Sequence, residues 1–306
     1  MVCLIIIAVL LLIAAALIIR NLYELSHLRV TSYDLEAPKV AAGDRLHAVF
    51  VSDLHGCSYG EENSDLINLI KAQEPDVIFI GGDIFNGGFA SKDEVSFAFV
   101  EEMSKIAEVY YAPGNHEKLI KYLTSEEFPE ILHAPGKKRV WRKEFFVQRQ
   151  ARFDRMVEEC GIDYLENRRT QLNDSITIQG LDLRMQYYDK ISPPKPDINV
   201  INEYLGNKDE SKYNILLAHT PEFFDLYAQY GSDLVLSGHY HGGTVRLPFI
   251  GGVMSPRGIV FPKYSWGKFK KQDTTLIVTA GCGQHHINLR LGNRPEVVVL
   301  NIGVNG

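Results

Sequence analysis

The chain has 306 residues, 45% hydrophobic and 23% charged, with a formal net charge of -6. This composition excludes a disordered chain and supports one large core, while the negative balance argues against a protein that binds nucleic-acid phosphates by bulk charge. Cys3, Cys57, Cys160 and Cys282 are scattered without a CxxC pair, which excludes a disulfide framework or thiolate metal site and leaves them as small apolar residues.

Residues Val2 to Ile19 are apolar without interruption and Arg20 closes the run. That is long enough to cross a bilayer as a helix, and the first residues lack the basic side chain and cleavage site of a secretory signal. The reading is a single-pass membrane anchor over residues 1–20, with Arg20 and Arg29 tilting the expectation toward the cytoplasmic side for the domain that follows. Residues 21–45, with Pro38 and Gly43, read as a stalk and a first edge strand around Leu28 to Leu35. The third unit, 46–306, reads as the single large globular domain.

In that domain one pattern recurs. His47 to Val51 reads as a strand ending in Ser52-Asp53-Leu54-His55-Gly56, and a helix follows from Asn63 to Gln73. Asp76 to Ile80 is a strand ending in Gly81-Gly82-Asp83, followed by a helix from Lys92 to Ile106. Val109 to Ala112 leads into Pro113-Gly114-Asn115-His116-Glu117. Strand, polar tip and helix repeated three times predict βαβ units and a largely parallel sheet.

The pattern breaks between residues 124 and 160, a helical and basic insertion. Lys137, Lys138, Arg139, Arg142, Lys143, Arg149, Arg152 and Arg155 alternate there with Trp141, Phe145, Phe146 and Phe153. The first half reads either as a lid or a face that grips an anionic substrate or the bilayer surface, or as a packed helix with solvated arginines. For the second half, a helix packing Phe146, Phe153, Met156, Val157 and Cys160 on the domain, with solvated arginines, is preferred. Ser175 to Gly180 opens a second sheet, a stiff proline-rich loop follows at Ser192 to Pro196, and Ile198 to Leu205 is a short helix.

Asn214 to Ala218 is a buried strand ending at His219, with a helix from Pro221 to Tyr230. Leu234 to Ser237 ends in Gly238-His239-Tyr240-His241-Gly242-Gly243, which delivers two imidazoles at a strand's C-terminal edge. Val245 to Lys271 has no period and reads as a long loop, either a substrate-shaping rim or ordinary packing. Leu276 to Val278 and Glu296 to Ile302 are expected to close the second sheet.

If the strands are neighbours, their polar tips converge. Carboxylate, imidazole and one amide oxygen together are too nitrogen-rich for calcium or magnesium and suit Mn²⁺, Fe or Zn²⁺. Seven ligand-competent groups are too many for one metal with an open position and fit two metals sharing a carboxylate.

Asp-x-His at Asp53, Gly-Gly-Asp at Asp83, Gly-Asn-His-Glu at Asn115, His219, and Gly-His-x-His at His239 and His241, in that order, resemble the calcineurin-like metallophosphoesterases from about Ala48 onward. With the apolar N-terminus and the Gly242 to Pro248 continuation, the chain looks most like the membrane-associated bacterial phosphodiesterase branch. The resemblance implies a four-layer αββα sandwich of two mixed sheets, with two divalent cations, manganese first and iron or zinc as alternatives. Asp53, His55, Asp83 and His241 would hold one, Asp83, Asn115, His219 and His239 the other, and Asp83 would bridge. It further implies a metal-bridging hydroxide as nucleophile and His116 as proton donor to the leaving oxygen.

Where several branches carry Asp and Arg, this chain has Ile84-Phe85-Asn86-Gly87. The expectation therefore moves from monoesters to phosphodiesters or pyrophosphates on a membrane-adjacent or lipid-linked substrate, with Asn86 as a substrate contact. A nuclease and a non-catalytic scaffold are the alternatives. No nucleic-acid signal is strong, His285 and His286 have no assigned role, and protein partners are not read from the sequence.

Overall fold

The computed structural model describes residues 1–87, 92–128, 131–133, 140–189, 194–284 and 288–303. Its first sheet runs β1 (Arg29–Leu35), β16 (Glu296–Ile302), β2 (Leu46–Val51), β3 (Val77–Ile80), β4 (Glu108–Tyr111), β7 (Asp163–Tyr164). Only the β16–β2 pairing is antiparallel. The second sheet runs β14 (Gly267–Lys271), β15 (Thr274–Val278), β11 (Leu234–Ser237), β10 (Tyr213–Ala218), β9 (Ile176–Leu181), β8 (Arg168–Gln171), with antiparallel strands at both edges. Two short ribbons, β5 (Ile131–His133) with β6 (Val140–Arg142) and β12 (Arg246–Leu247) with β13 (Gly251–Gly252), lie outside these sheets.

The central strands read as unbroken apolar runs because both of their faces are covered. Along β2, Ala48 and Phe50 point between the sheets, where they meet Ile178, Ile215 and Leu236. Val49 and Val51 point outward among residues of α2 (Ser64–Lys71), α3 (Asp93–Ile106), α4 (Asn115–Tyr122) and α5 (Lys143–Glu159). The outer face of the second sheet is covered by α6 (Ile198–Leu205) and α7 (Phe224–Tyr230), through Ile201, Leu205, Phe224 and Tyr227. Helix, sheet, sheet, helix is the four-layer arrangement expected.

Three expectations are corrected. β16 belongs to the first sheet, inserted between β1 and β2, not to the second; its Val297 to Val299 pattern marks a buried strand but carries no sign of its partner. Gly267 to Lys271, read as loop, is the edge strand β14. Its three lysines hide the apolar alternation, and charges of that kind protect an exposed sheet edge. The N-terminal helix α1 (Val2–Ser26) does not stop at Arg20. Nothing in Asn21 to Ser26 breaks a helix, and Glu24 within it is fully buried.

α1 is long and apolar enough to cross a membrane, and its residues up to Arg20 are exposed. Its last turns are fixed to the domain. The Asn293 N–H donates to Glu24 Oε2 at 2.7 Å, the Arg290 N–H donates to Asn21 Oδ1 at 2.8 Å, and Arg20 pairs with Glu24 at 2.5 Å.

Phe50 is fully buried between the sheets, beneath Gly81. Phe50→Ala is expected to cost about 3–5 kcal/mol, read as a lowered chemical-denaturation midpoint of the purified protein. A loss under about 1 kcal/mol would contradict a close-packed inter-sheet core.

Candidate metal centre

Five strands end on one rim, and each ends in a predicted site residue: β2 in Asp53 and His55, β3 in Asp83, β4 in Asn115 and His116, β10 in His219, β11 in His239 and His241. The turns that follow are sharp. Asp53, His55, Asp83, His239 and His241 all have φ between 47° and 65°, a left-handed conformation that costs a non-glycine residue on the order of 1–3 kcal/mol. Such strain persists where the surroundings over-determine it, and here it turns five polar side chains inward. Gly238 has no side chain for a plain reason: a methyl group there would sit on the Asp53 carboxylate and the Ser52 hydroxyl.

The donor atoms meet. His219 Nε2 lies 3.1 Å from Asp83 Oδ2 and 3.9 Å from Asp53 Oδ1. His55 Nε2 is 3.1 Å from His241 Nε2 and 3.9 Å from Asp83 Oδ2, and His241 Nε2 is 3.4 Å from Asp53 Oδ1. Three overlapping groups, Asp53 with His55 and His241, Asp83 with His219 and His239, and His55 with Asp83 and His116, each fall within 4.8 Å. Asn115 opens α4 beside them, and its Oδ1 is buried without a hydrogen-bond partner.

These contacts fit a cation. The Gly81 carbonyl accepts from His219 Nδ1 at 2.7 Å, so in the neutral ring Nε2 presents a lone pair. That lone pair faces the Asp83 carboxylate, and two acceptors 3.1 Å apart require a positive charge between them. Ligands bound at about 2.0–2.2 Å to one ion stand roughly 3–4 Å apart, the spacing found here. Protons feel the same field. Burial pushes the Asp53 carboxyl up, opposed by His219. Burial also acts to raise Asp83, but His219, His116 and His55 outweigh it and hold that carboxyl well below the usual range. Burial would lower His219, yet Asp83 and then Asp53 carry it upward. A cation bound here would take over the charge that those protons supply.

The supporting residues were not legible as such. Buried Glu117 accepts from the backbone N–H groups of Asp83 (2.8 Å), Ile84 (2.9 Å), Phe85 (3.1 Å) and Gly114 (2.9 Å) and from the Tyr111 hydroxyl (2.8 Å). It pins two of the five loops. Asp83 Oδ1 accepts the His116 N–H, leaving Oδ2 for the cluster. The Gly87 N–H donates to His116 Nδ1 at 2.8 Å, and Arg149 holds that loop by donating to the carbonyls of Gly87 and Asn86 while pairing with Asp93 at 2.5 Å. Arg149, expected in solvent, is therefore buried, whereas Phe146, Phe153 and Met156 pack as predicted. Asn86 is half-buried and precedes Gly87, the residue that meets His116, while Lys137 to Arg139, His285 and His286 lie outside the described residues. Only Glu117 carried a signal, its place in Gly-Asn-His-Glu.

Residues 46–243 match the model of the calcineurin-like phosphoesterases. Bacillus subtilis YpbG is 25% identical, covering 95% of this chain and 94% of that one. A metallophosphoesterase of Aquifex aeolicus is 26% identical, covering 92% and 95%. Phosphodiesterase YaeI of Escherichia coli is 23% identical, covering 83% and 81%.

Glu117→Gln keeps the shape but puts an amide NH₂ among N–H donors. It is expected to weaken metal binding about 10–100-fold, measured by titration calorimetry with Mn²⁺ on the intact chain. Unchanged affinity would show that Glu117 does not position the cluster.

Proposed function

Because the chain belongs to the calcineurin-like phosphoesterase family, whose members are metal-dependent phosphoesterases, we propose that it hydrolyses a phosphodiester or pyrophosphate at a two-metal centre on the sheet rim. Asp53, His55, Asp83 and His241 would hold one cation and Asp83, Asn115, His219 and His239 the other, with Asp83 shared. The observation that carries this is the convergence of two buried carboxylates and four imidazoles from four strand ends, with N···O separations of 3.1 to 3.9 Å. Manganese is the first choice, and iron or zinc suits the same donors. A divalent pair supplies charge for the phosphoryl oxygens and makes water a nucleophile near neutral pH.

The residues contribute orientation and proton placement. A ring whose Nδ1 accepts from the Gly87 N–H carries its hydrogen on Nε2. His116 is thereby set to donate from Nε2 toward a leaving oxygen, and it lies in one of the ligand groups with His55 and Asp83. No cationic side chain lies within Ile84 to Gly87 to grip a phosphate dianion, which favours the less charged diester or the pyrophosphate over a monoester. Tyr188, whose ring stands edge-on to His239 at 5.5 Å, walls the second ligand set.

The nuclease reading loses support in the described residues. Arg149 is buried on Asp93 and Arg152 pairs with Glu94, so this part of α5 is not an open phosphate-binding face. We place the enzyme at a membrane through α1, on the cytoplasmic side by the Arg20 and Arg29 flank, with a membrane-adjacent or lipid-linked substrate.

Asp83→Ala and His239→Ala should each lower Mn²⁺-dependent kcat/KM on bis(p-nitrophenyl) phosphate by more than about 100-fold, beyond the range of a supporting residue. The wild type should cleave that diester faster than p-nitrophenyl phosphate. Undiminished turnover in either variant would refute the ligand assignment, and a monoester preference would refute the substrate class.

A further inference from the structure

The helix α1 enters the domain on the same rim as the ligand cluster. Register fixes this: Arg29 pairs with Glu296 in parallel, and Val298 pairs with Phe50 in the antiparallel β16–β2 ladder, so Arg29 stands level with Ser52, next to Asp53. Two residues separate Arg29 from the end of α1. The exposed stretch of the helix up to Arg20 is about 28 Å long at 1.5 Å per residue, close to the roughly 30 Å hydrocarbon core of a bilayer. Docking begins at the next residue, Asn21. One turn later, Glu24 accepts from the N–H of Asn293, whose side-chain Nδ2 donates to the carbonyl of His241 at 2.7 Å. A single residue links the helix to a candidate ligand.

The loop after His241 belongs to the same rim, because β11 ends there at Ser237 and β14 starts there, Gly267 pairing with Val278. It carries Leu247, Phe249, Ile250, Met254, Val260 and Phe261 exposed, Phe249 at 109% and Ile250 at 63%. Arg246, beside them, donates its N–H to Leu291 O and its Nε to Gly292 O, within the 288–293 segment that receives α1. The apolar patch is thus continuous with the helix dock.

We propose that this rim loop is a second membrane-contacting element, which inserts its apolar side chains into the bilayer interface and holds the metal centre open to the headgroup layer. The inference rests on the reading of α1 as a spanning helix. Six exposed apolar side chains in one loop are costly in water and gain on entering the acyl boundary. A helix docked at Asn21 and Glu24 also denies the domain the freedom that a flexible stalk would give. The site would then meet phosphoryl groups of amphiphiles from within the membrane plane.

The test is depth. The full chain, with Cys3→Ser and Cys160→Ser so that only buried Cys57 and Cys282 remain, is reconstituted in phosphatidylcholine nanodiscs. A bimane label is placed by Phe249→Cys, by Gln272→Cys on the opposite rim, or by Leu10→Cys in the helix. Lipids nitroxide-labelled at the headgroup should quench the label at 249 and leave that at 272 bright, while lipids labelled deep in the acyl chain should quench that at 10. Equal quenching at 249 and 272 with quenching at 10 overturns the insertion of the loop alone, whether water, a protein or a second copy covers it. Absence of quenching at 10 overturns the spanning helix, and the inference falls with it.

Discussion

Two carboxylates, Asp53 and Asp83, are buried at one spot and need positive charge beside them. Like charges removed from water are unfavourable unless they are compensated, and the surrounding structure reads as the means of compensation. Five imidazoles close on the pair, left-handed backbone at Asp53, His55, Asp83, His239 and His241 turns the carboxylates and three of those rings inward, and Gly238 leaves room for Asp53. Glu117, a third buried carboxylate, serves differently. It is satisfied by four backbone N–H groups and a hydroxyl, so it spends its charge on fixing loops rather than on binding.

That division of labour follows from the layers. Strands covered on both faces are rigid supports, and side chains at their C-terminal ends can be held against strain that a surface loop would relax. The strain sits where the sheets meet, above the apolar layer containing Phe50, Phe79 and Leu236. The same rim receives α1, so the arrangement that concentrates charge also sets which side of the domain faces the helix. Glu24, Asn293 and His241 form the connection, and each of the two bonds in it is 2.7 Å.

Much of this was legible in the sequence, because the central strands are short apolar runs with a polar tip. Periodicity located β2, β3, β4, β10 and β11, and the residue types at their ends named the side chains that converge. Partnership was not legible. The sequence around Val297 to Val299 announces a buried strand in either sheet, and only the tertiary packing puts β16 between β1 and β2. Arg149 looked like its exposed neighbours Arg152 and Arg155, since no local pattern tells that one guanidinium will meet the carbonyls of Asn86 and Gly87. The orientation of His116 comes from the backbone of Gly87, a donor that every residue but proline has and no motif can display. β14 was hidden by its lysines.

The central claim is that the rim cluster holds a pair of cations, with Asp83 common to both. It is tested most directly by anomalous diffraction from crystals of the intact protein grown with Mn²⁺ in excess. Two peaks about 3.5–4 Å apart, with Asp83 between them and His219 and His241 on opposite ions, are the result predicted. One peak, or peaks away from Asp83, would contradict it.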